Sequence, residues 1–185
     1  MQKMTSLMAM IAVSICMFAT PALAQADNQK ALSQVEALLA GYEFVPDKKD
    51  WDRVGPAAVA ILKDIASDPA RKKVQRARAV SSLAFFPQSD TQSFLTRLLQ
   101  EDAQLMTLRR KAMRALAFGF GAASIDSIKP YLSSSDSHLR ATAIKSFGVI
   151  KTDQSKSLLS ARLKVEPSKV LRQSIEKTLV EMDKQ

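Results

Sequence analysis

Apolar residues recur along most of the chain at helical spacing. In four segments an arginine is followed three residues later by a mostly small apolar residue and seven residues later by a large one. The positions three residues on are Ala79, Ala112, Ala143 and Ile175, and those seven residues on are Leu83, Leu116, Phe147 and Leu179. Residues at these spacings lie on one face of an α-helix. Each segment is therefore predicted to be a helix with one buried face.

These four segments are copies of one unit. Their arginines, at Arg76, Arg109, Arg140 and Arg172, follow one another at steps of 33, 31 and 32 residues. A fixed period of this length is typical of repeat architectures, in which each unit packs on its neighbours.

A shorter apolar segment precedes each arginine-bearing segment and completes a helix pair. These first helices are predicted at residues 57–66, 91–100, 124–132 and 154–164. Pro130 lies inside the third of them, so that helix is expected to be kinked or to start late. One pair cannot bury its apolar face alone, so the predicted fold is all-α: an α-solenoid of about four helix pairs.

The recurring Leu/Val-Arg-x-x-Ala-φ-x-x-Leu pattern resembles the HEAT repeats, including phycobilin-lyase-HEAT-like domains, over roughly residues 55–182. The resemblance implies a structural role for the four repeat arginines, which commonly pair with acidic residues of the preceding turn. Here the acids so placed are Asp68, Glu101 or Asp102, Asp136 and Glu166. The resemblance implies little about function, because such proteins include scaffolds, lyase-related proteins and enzymes that act on DNA.

Residues 25–54 precede the regular array, which is assigned to residues 55–185. Apolar spacing over 29–39 predicts a capping helix, which Gly41 would end. The aromatic residues that follow, Tyr42, Phe44 and Trp51, are expected to seal the exposed end of the stack. A ligand-binding platform is the alternative.

Residues 1–24 have the features of a secretory signal peptide. Lys3 is followed by an apolar stretch, and Ala22-Leu23-Ala24 forms a small-x-small cleavage signal. The stretch is too short to span a membrane. We expect cleavage after Ala24, with Ala26 as the alternative site because Ala24-Gln25-Ala26 also fits the signal, and a periplasmic or secreted protein. Cys16 is the chain's one cysteine and would be removed.

The basic charge of the chain is concentrated in its middle. The full sequence carries a net charge of +9, and residues 70–115 hold ten basic and three acidic residues. Five residues after the repeat arginines, Arg114, Lys145 and Lys177 are predicted to form a row of cations along the concave surface, which second helices line in HEAT-like stacks. Three further cations would widen this row: Arg78, Arg110 and Lys111.

The sequence contains no recognisable catalytic motif. One histidine, His138, is present, and neither a zinc motif nor a nucleophile elbow occurs. We therefore expect no enzyme, cofactor, metal or small-molecule substrate, and a monomer that binds a protein partner along the solenoid groove. Binding of a polyanion such as DNA, anionic lipid or an acidic envelope polymer through the basic row is the alternative.

Overall fold

The structure, a computed structural model, describes residues 21–41 and 45–184, with side chains from residue 25 onward. Throughout these ranges the regular elements are helical. The α-helices are α1 (Pro21–Ala40), α2 (Lys48–Val54), α3 (Ala57–Ser67), α4 (Lys73–Ser82), α5 (Ser89–Gln100), α6 (Met106–Phe120), α7 (Ile125–Ile128), α8 (Ser137–Ile150), α9 (Asp153–Leu163) and α10 (Lys169–Asp183).

Helices α3 to α10 form four consecutive pairs, and the pairs stack into a solenoid. Each first helix (α3, α5, α7, α9) packs on the second helix of its own pair (α4, α6, α8, α10). The second helices also pack directly on one another in the order α4, α6, α8, α10. The prediction of an all-α solenoid is confirmed.

Small residues allow the second helices to pack closely. Ala79, Ala112 and Ala143 occupy equivalent positions in α4, α6 and α8, and all three are fully buried. At Gly119 the approach is closer still, because a Cβ atom there would lie 2.5 Å from the carbonyl oxygen of Ala84. Backbones can come this near only where a side chain is small or absent.

The first helices lie further apart and meet through polar side chains. Lys63 of α3 donates to Asp90 of α5 at 2.7 Å, and Gln92 donates to the carbonyl of Ala123 at 2.9 Å. Because the layer of second helices is packed more closely than the layer of first helices, the solenoid bends toward the second helices. These therefore line its concave side.

The third pair is irregular at the predicted position. Helix α7 ends at Ile128, and a 3₁₀-helix continues it over Lys129–Ser133. Pro130 explains the change, since it cannot donate a backbone hydrogen bond in a continuing α-helix. Ile125, Ile128 and Leu132 are nevertheless all buried, as the sequence pattern indicates.

The helices at the N-terminus close one end of the stack. Helix α1 packs on α3 and α4, and its buried residues begin at Ala31. Trp51 of α2 is fully buried and meets the Phe86 ring edge-on, with ring centroids 6.3 Å apart. Tyr42 and Phe44, like residues 1–20 of the expected signal peptide, lie outside the described residues.

No helix among the described residues combines the length and apolar character needed to cross a membrane.

Candidate binding face

The four repeat arginines share one kind of contact: each donates to backbone carbonyls either in the last turn of the preceding first helix or in the turn that follows it. Arg76 Nε and Arg109 Nε lie 2.9 Å from the carbonyl oxygens of Ala66 and Leu99. Arg140 and Arg172 use Nη1 to reach two carbonyls each, those of residues 134 and 135 and those of residues 166 and 167. The last carbonyls of a helix lack intrahelical partners and carry partial negative charge, which a guanidinium satisfies.

The acidic partners expected for these arginines differ from those observed. Only the expected pair of Arg109 with Asp102 is found, at 2.9 Å. Asp136 instead caps α8, accepting from the N–H of His138 at 2.7 Å. Asp68 lies 3.7 Å from Arg71, and within the described residues Arg76 has no carboxylate partner. Carbonyl binding, and not acid pairing, is therefore what the repeats have in common.

Glu166 is a buried carboxylate shared between two repeats. Its side chain is 0% exposed and accepts from Arg140 at 3.1 Å and from Arg162 at 2.6 Å. Burial alone would raise the pKa of Glu166, but the hydrogen bonds from Arg140 and Arg162 outweigh it and hold the pKa below its ordinary value. Glu166 thus joins α8 to α9, while its own carbonyl binds Arg172 of α10.

Arg78, which was expected to widen the row of cations, is used inside the fold. Its Nη1 donates to the carbonyls of Leu39 and Gly41, at 2.6 and 2.7 Å. These carbonyls end α1, so Arg78 fastens the N-terminal helix to α4. The sequence offset alone cannot show this, because α1 lies outside the repeat register.

Arg114, Lys145 and Lys177, here called the cation row, lie exposed on α6, α8 and α10. Within the described residues Arg114 and Lys145 make no ion pair. Lys177 lies 4.0 Å from Glu181 on its own helix, and its side chain is 79% exposed. The three cations thus face solvent on the concave layer.

A second row of exposed residues runs beside the cation row. Phe118, Val149 and Val180, here called the apolar row, are 64%, 52% and 54% exposed. Each follows a cation by three or four residues on the same helix, so it lies one turn further along the same face. Phe118 meets the Phe85 ring of the preceding pair edge-on, with ring centroids 5.9 Å apart, and most of its side chain stays exposed.

Arg110 and Lys111 lie deeper on the same face of α6. Both are half-buried, and Arg110 Nε donates to Thr142 of α8 at 3.0 Å. The pKa of Lys111 is lowered by burial and, after that, by the positive charges of Arg114, Arg110 and Arg78. Positive charge is therefore crowded at this point of the concave layer.

The chain's one histidine lies at a helix start. His138 is exposed at the start of α8, with its backbone N–H bound to Asp136. Across the described parts of the chain, no group of three or more His, Cys, Asp or Glu side chains is arranged to hold a metal ion.

Comparison with known proteins identifies the repeat. Residues 106–180, which run from α6 into α10, match the family model described as HEAT repeats. The expected resemblance is thus confirmed for the segment that carries both rows. No curated protein matches the sequence. Among solved structures, an engineered protein is similar, with a TM-score of 0.48 and 14% identity, over 88% of this chain and 75% of that one.

Proposed function

We propose that this chain is a non-catalytic interaction module that binds a protein partner along its concave layer of second helices. HEAT repeats generally act as scaffolds for interactions between proteins. The observation that carries the proposal is the parallel course of the cation row and the apolar row over α6, α8 and α10. Exposed apolar residues that line up across neighbouring elements mark interaction surfaces.

The two rows together define the chemistry of the partner. Arg114, Lys145 and Lys177 would meet acidic side chains, which favours fast and selective association. Phe118, Val149 and Val180 would be buried by apolar side chains, which supplies affinity that salt does not screen. The partner surface is therefore acidic along one edge and apolar along the other.

Two variants test the proposal against a matched control. The cation-row variant is Arg114→Glu/Lys145→Glu/Lys177→Glu, and the apolar-row variant is Phe118→Ser/Val149→Ser/Val180→Ser. The control variant, Arg97→Glu/Lys129→Glu/Lys164→Glu, reverses three exposed charges in the other layer and changes the net charge equally.

Chemical cross-linking in the native compartment, followed by mass spectrometry, would identify the partner. We expect recovery with the wild type and the control variant, and loss with both row variants. Equal loss in the control variant would mean that net charge, and not this face, holds the partner. Full recovery with both row variants would contradict the proposal.

Polyanion binding is the second candidate function, and the crowded cations Arg110, Lys111 and Arg114 favour it. A polyanion binds through its charges to Lys and Arg, and it makes no contact that depends on the apolar row. The apolar-row variant therefore separates the two functions, because it would bind a polyanion normally and fail to bind the protein partner.

We further propose that the signal peptide is cleaved between Ala24 and Gln25 and that the protein then acts outside the cytoplasm. The support is the order of basic, apolar and small residues in the first 24 positions. Cleavage there would remove only the first four residues of α1, and its buried positions begin later, at Ala31. Mass spectrometry of the native protein should give a chain that begins at Gln25. An intact N-terminus would refute the cleavage.

A further inference from the structure

Four side chains of α6 line a small cavity on the concave layer. Thr107, Arg110, Lys111 and Arg114 surround a volume of about 120 Å³. Their spacing of three, four and seven residues places them on one face of the helix. One hydroxyl-bearing residue and three cationic residues thus line the same cavity.

The positive charge at this cavity is not balanced by the described residues. Arg110, Lys111 and Arg114 form no ion pair with any described carboxylate. Arg110 uses Nε on Thr142, which leaves its terminal nitrogens without a partner among these residues. Three cationic residues that line one cavity, and that pair with no described carboxylate, suit an anion.

The acidic group at the start of α8, Asp136, already accepts hydrogen bonds from its own helix. Asp136 accepts from the N–H groups of His138 and Leu139, at 2.7 and 3.0 Å, and so caps the helix. The Leu139 N–H contributes most to lowering the pKa of Asp136, and the distant charge of Arg110 contributes least. Asp136 is thus committed to α8 and does not enter the cavity.

The surroundings of Lys111 disfavour its charged form. Burial first, and then the charges of Arg114, Arg110 and Arg78, lower the pKa of Lys111. Both effects work against the charged ammonium group. An anion in the cavity would reverse the second effect, because it would place negative charge among the cations.

We propose that Arg110, Lys111 and Arg114, with the Thr107 hydroxyl, form a seat for one phosphate group. The proposal does not rest on protein-partner binding, although Arg114 belongs to both the cation row and the seat. A tetrahedral dianion suits the seat better than a carboxylate, because it offers acceptors in several directions and can offset more than one cation. The phosphate could be the free ion or a monoester carried by a larger molecule, since both present the same oxygens.

Thermal unfolding of the purified protein tests the seat. Inorganic phosphate, glycerol 3-phosphate, sulfate and glutarate would each be added at constant ionic strength set with sodium chloride. With phosphate at ten times its Kd, the Tm should rise by roughly 3–6 °C. Equal shifts with phosphate and glycerol 3-phosphate would show that the seat takes a monoester, and a shift with inorganic phosphate alone would show that it takes the free ion.

Variants locate the effect. Lys111→Met and Arg114→Ala should abolish the phosphate shift, and each should have a higher Tm than the wild type without phosphate, because like charges are removed. Lys145→Met, in the cation row but outside the cavity, should keep the full shift. Broadening of the phosphate ³¹P resonance by the wild-type protein provides a readout that needs no variant.

Three results would overturn the seat. The first is a phosphate shift no larger than that of sodium chloride or glutarate, and the second is a shift that survives in Lys111→Met. The third concerns Glu43, which lies outside the described residues, two positions after Gly41 in the sequence. If Glu43→Gln lowers the Tm and strengthens phosphate binding, then the Glu43 carboxylate occupies the seat in the wild type in place of a phosphate. None of these results affects cross-linking by the apolar-row variant, which leaves all four residues of the seat unchanged.

Discussion

At the scale of single residues, the arginine–carboxylate pairs differ in how far the acid is buried. Asp102, the partner of Arg109, has a side chain that is 92% exposed, whereas Glu166, the partner of Arg140 and Arg162, is 0% exposed. Exposed ion pairs contribute little to stability. Removing one member of a buried pair is costly, because the remaining charge stays buried without compensation.

Glu166→Gln should therefore destabilise the protein by about 3–5 kcal/mol, since it leaves two buried guanidinium groups without a counter-charge. The matched change Asp102→Asn should cost less than about 1 kcal/mol, because Asp102 is largely in water and Arg109 keeps its hydrogen bond to the Leu99 carbonyl. Urea unfolding at neutral pH measures both values. Equal losses in the two variants would show that burial of Glu166 does not control the strength of its ion pairs.

The contribution of Glu166 should also depend on pH. Its pKa in the folded protein is lower than its ordinary value of 4.5, which applies to the unfolded chain. The stabilisation is thus fully present above the unfolded pKa and is lost as the pH falls through the folded pKa. The difference in unfolding free energy between wild type and Glu166→Gln should shrink on acidification below pH 4.5. A difference that stays constant down to about pH 2 would contradict this linkage.

The sequence predicts where the repeat arginines lie but not what they bind. Their period is visible because Arg76, Arg109 and Arg140 occupy one register. Several acids lie within reach of each arginine along the chain, and the choice among them depends on how the chain turns between helices. Asp136, for example, takes the N-cap position of α8 and leaves Arg140 to Glu166 of the following pair.

At the scale of helices, close approach of the second helices depends on two glycines. A Cβ at Gly119 of α6 would lie 2.5 Å from the backbone oxygen of Ala84, and a Cβ at Gly148 of α8 would lie 2.6 Å from the Cγ2 methyl of Thr178. The first obstacle is backbone and the second is a side chain. The two contacts should therefore respond differently to a second substitution.

Gly119→Ala and Gly148→Ala should each destabilise the protein, by about 1–3 kcal/mol for the overpacked contact less up to about 1 kcal/mol for better helix propensity. Adding Thr178→Ser should restore much of the loss in Gly148→Ala, because it removes the obstructing methyl group. The same addition should not help Gly119→Ala. Chemical denaturation of these variants measures the effects, and rescue of both by Thr178→Ser would contradict the stated contacts.

Helix boundaries were predictable where one residue dominates and not where packing decides. Pro130 predicts the break in the third pair, and in the structure the α-helix changes to a 3₁₀-helix at Lys129. Helix α1 instead begins at Pro21, well before the predicted start at residue 29. Residues 25–28 are exposed and show no apolar period, so the pattern gives no sign of this earlier start. The apolar row was missed for a related reason, because the sequence cannot show which of the phenylalanines at helix ends are buried. In the structure Phe147 is buried, whereas Phe118 is exposed.

At the scale of the whole molecule, the balance of charge changes from acidic to basic along the chain, in the order in which the helices stack. Residues 25–69, which include α1 to α3, carry five basic and eight acidic residues, whereas residues 70–115 carry ten and three. Arg114 belongs to this basic segment, and Lys145 and Lys177 continue its positive charge along the following second helices, beside exposed apolar side chains. Association with an acidic partner would therefore combine a screened electrostatic attraction with an unscreened apolar contact.

The salt dependence of binding distinguishes the electrostatic contribution from the apolar contribution. If duplex DNA binds, contacts from Arg110, Arg114, Lys145 and Lys177 should give a slope of about −3 to −4 in a plot of log binding constant against log salt, since each neutralised phosphate contributes about −0.9. The apolar-row variant should leave that slope and affinity unchanged.

The protein partner should show a shallower slope, and the apolar-row variant should weaken its binding at every salt concentration, because burial of Phe118, Val149 and Val180 is not screened. Fluorescence anisotropy across a salt series would measure both complexes with the same protein preparations. A partner slope as steep as that of DNA, together with normal partner binding by the apolar-row variant, would mean that charge alone holds the partner. The concave layer would then act as a polyanion-binding surface, and the exposed apolar residues would need another explanation.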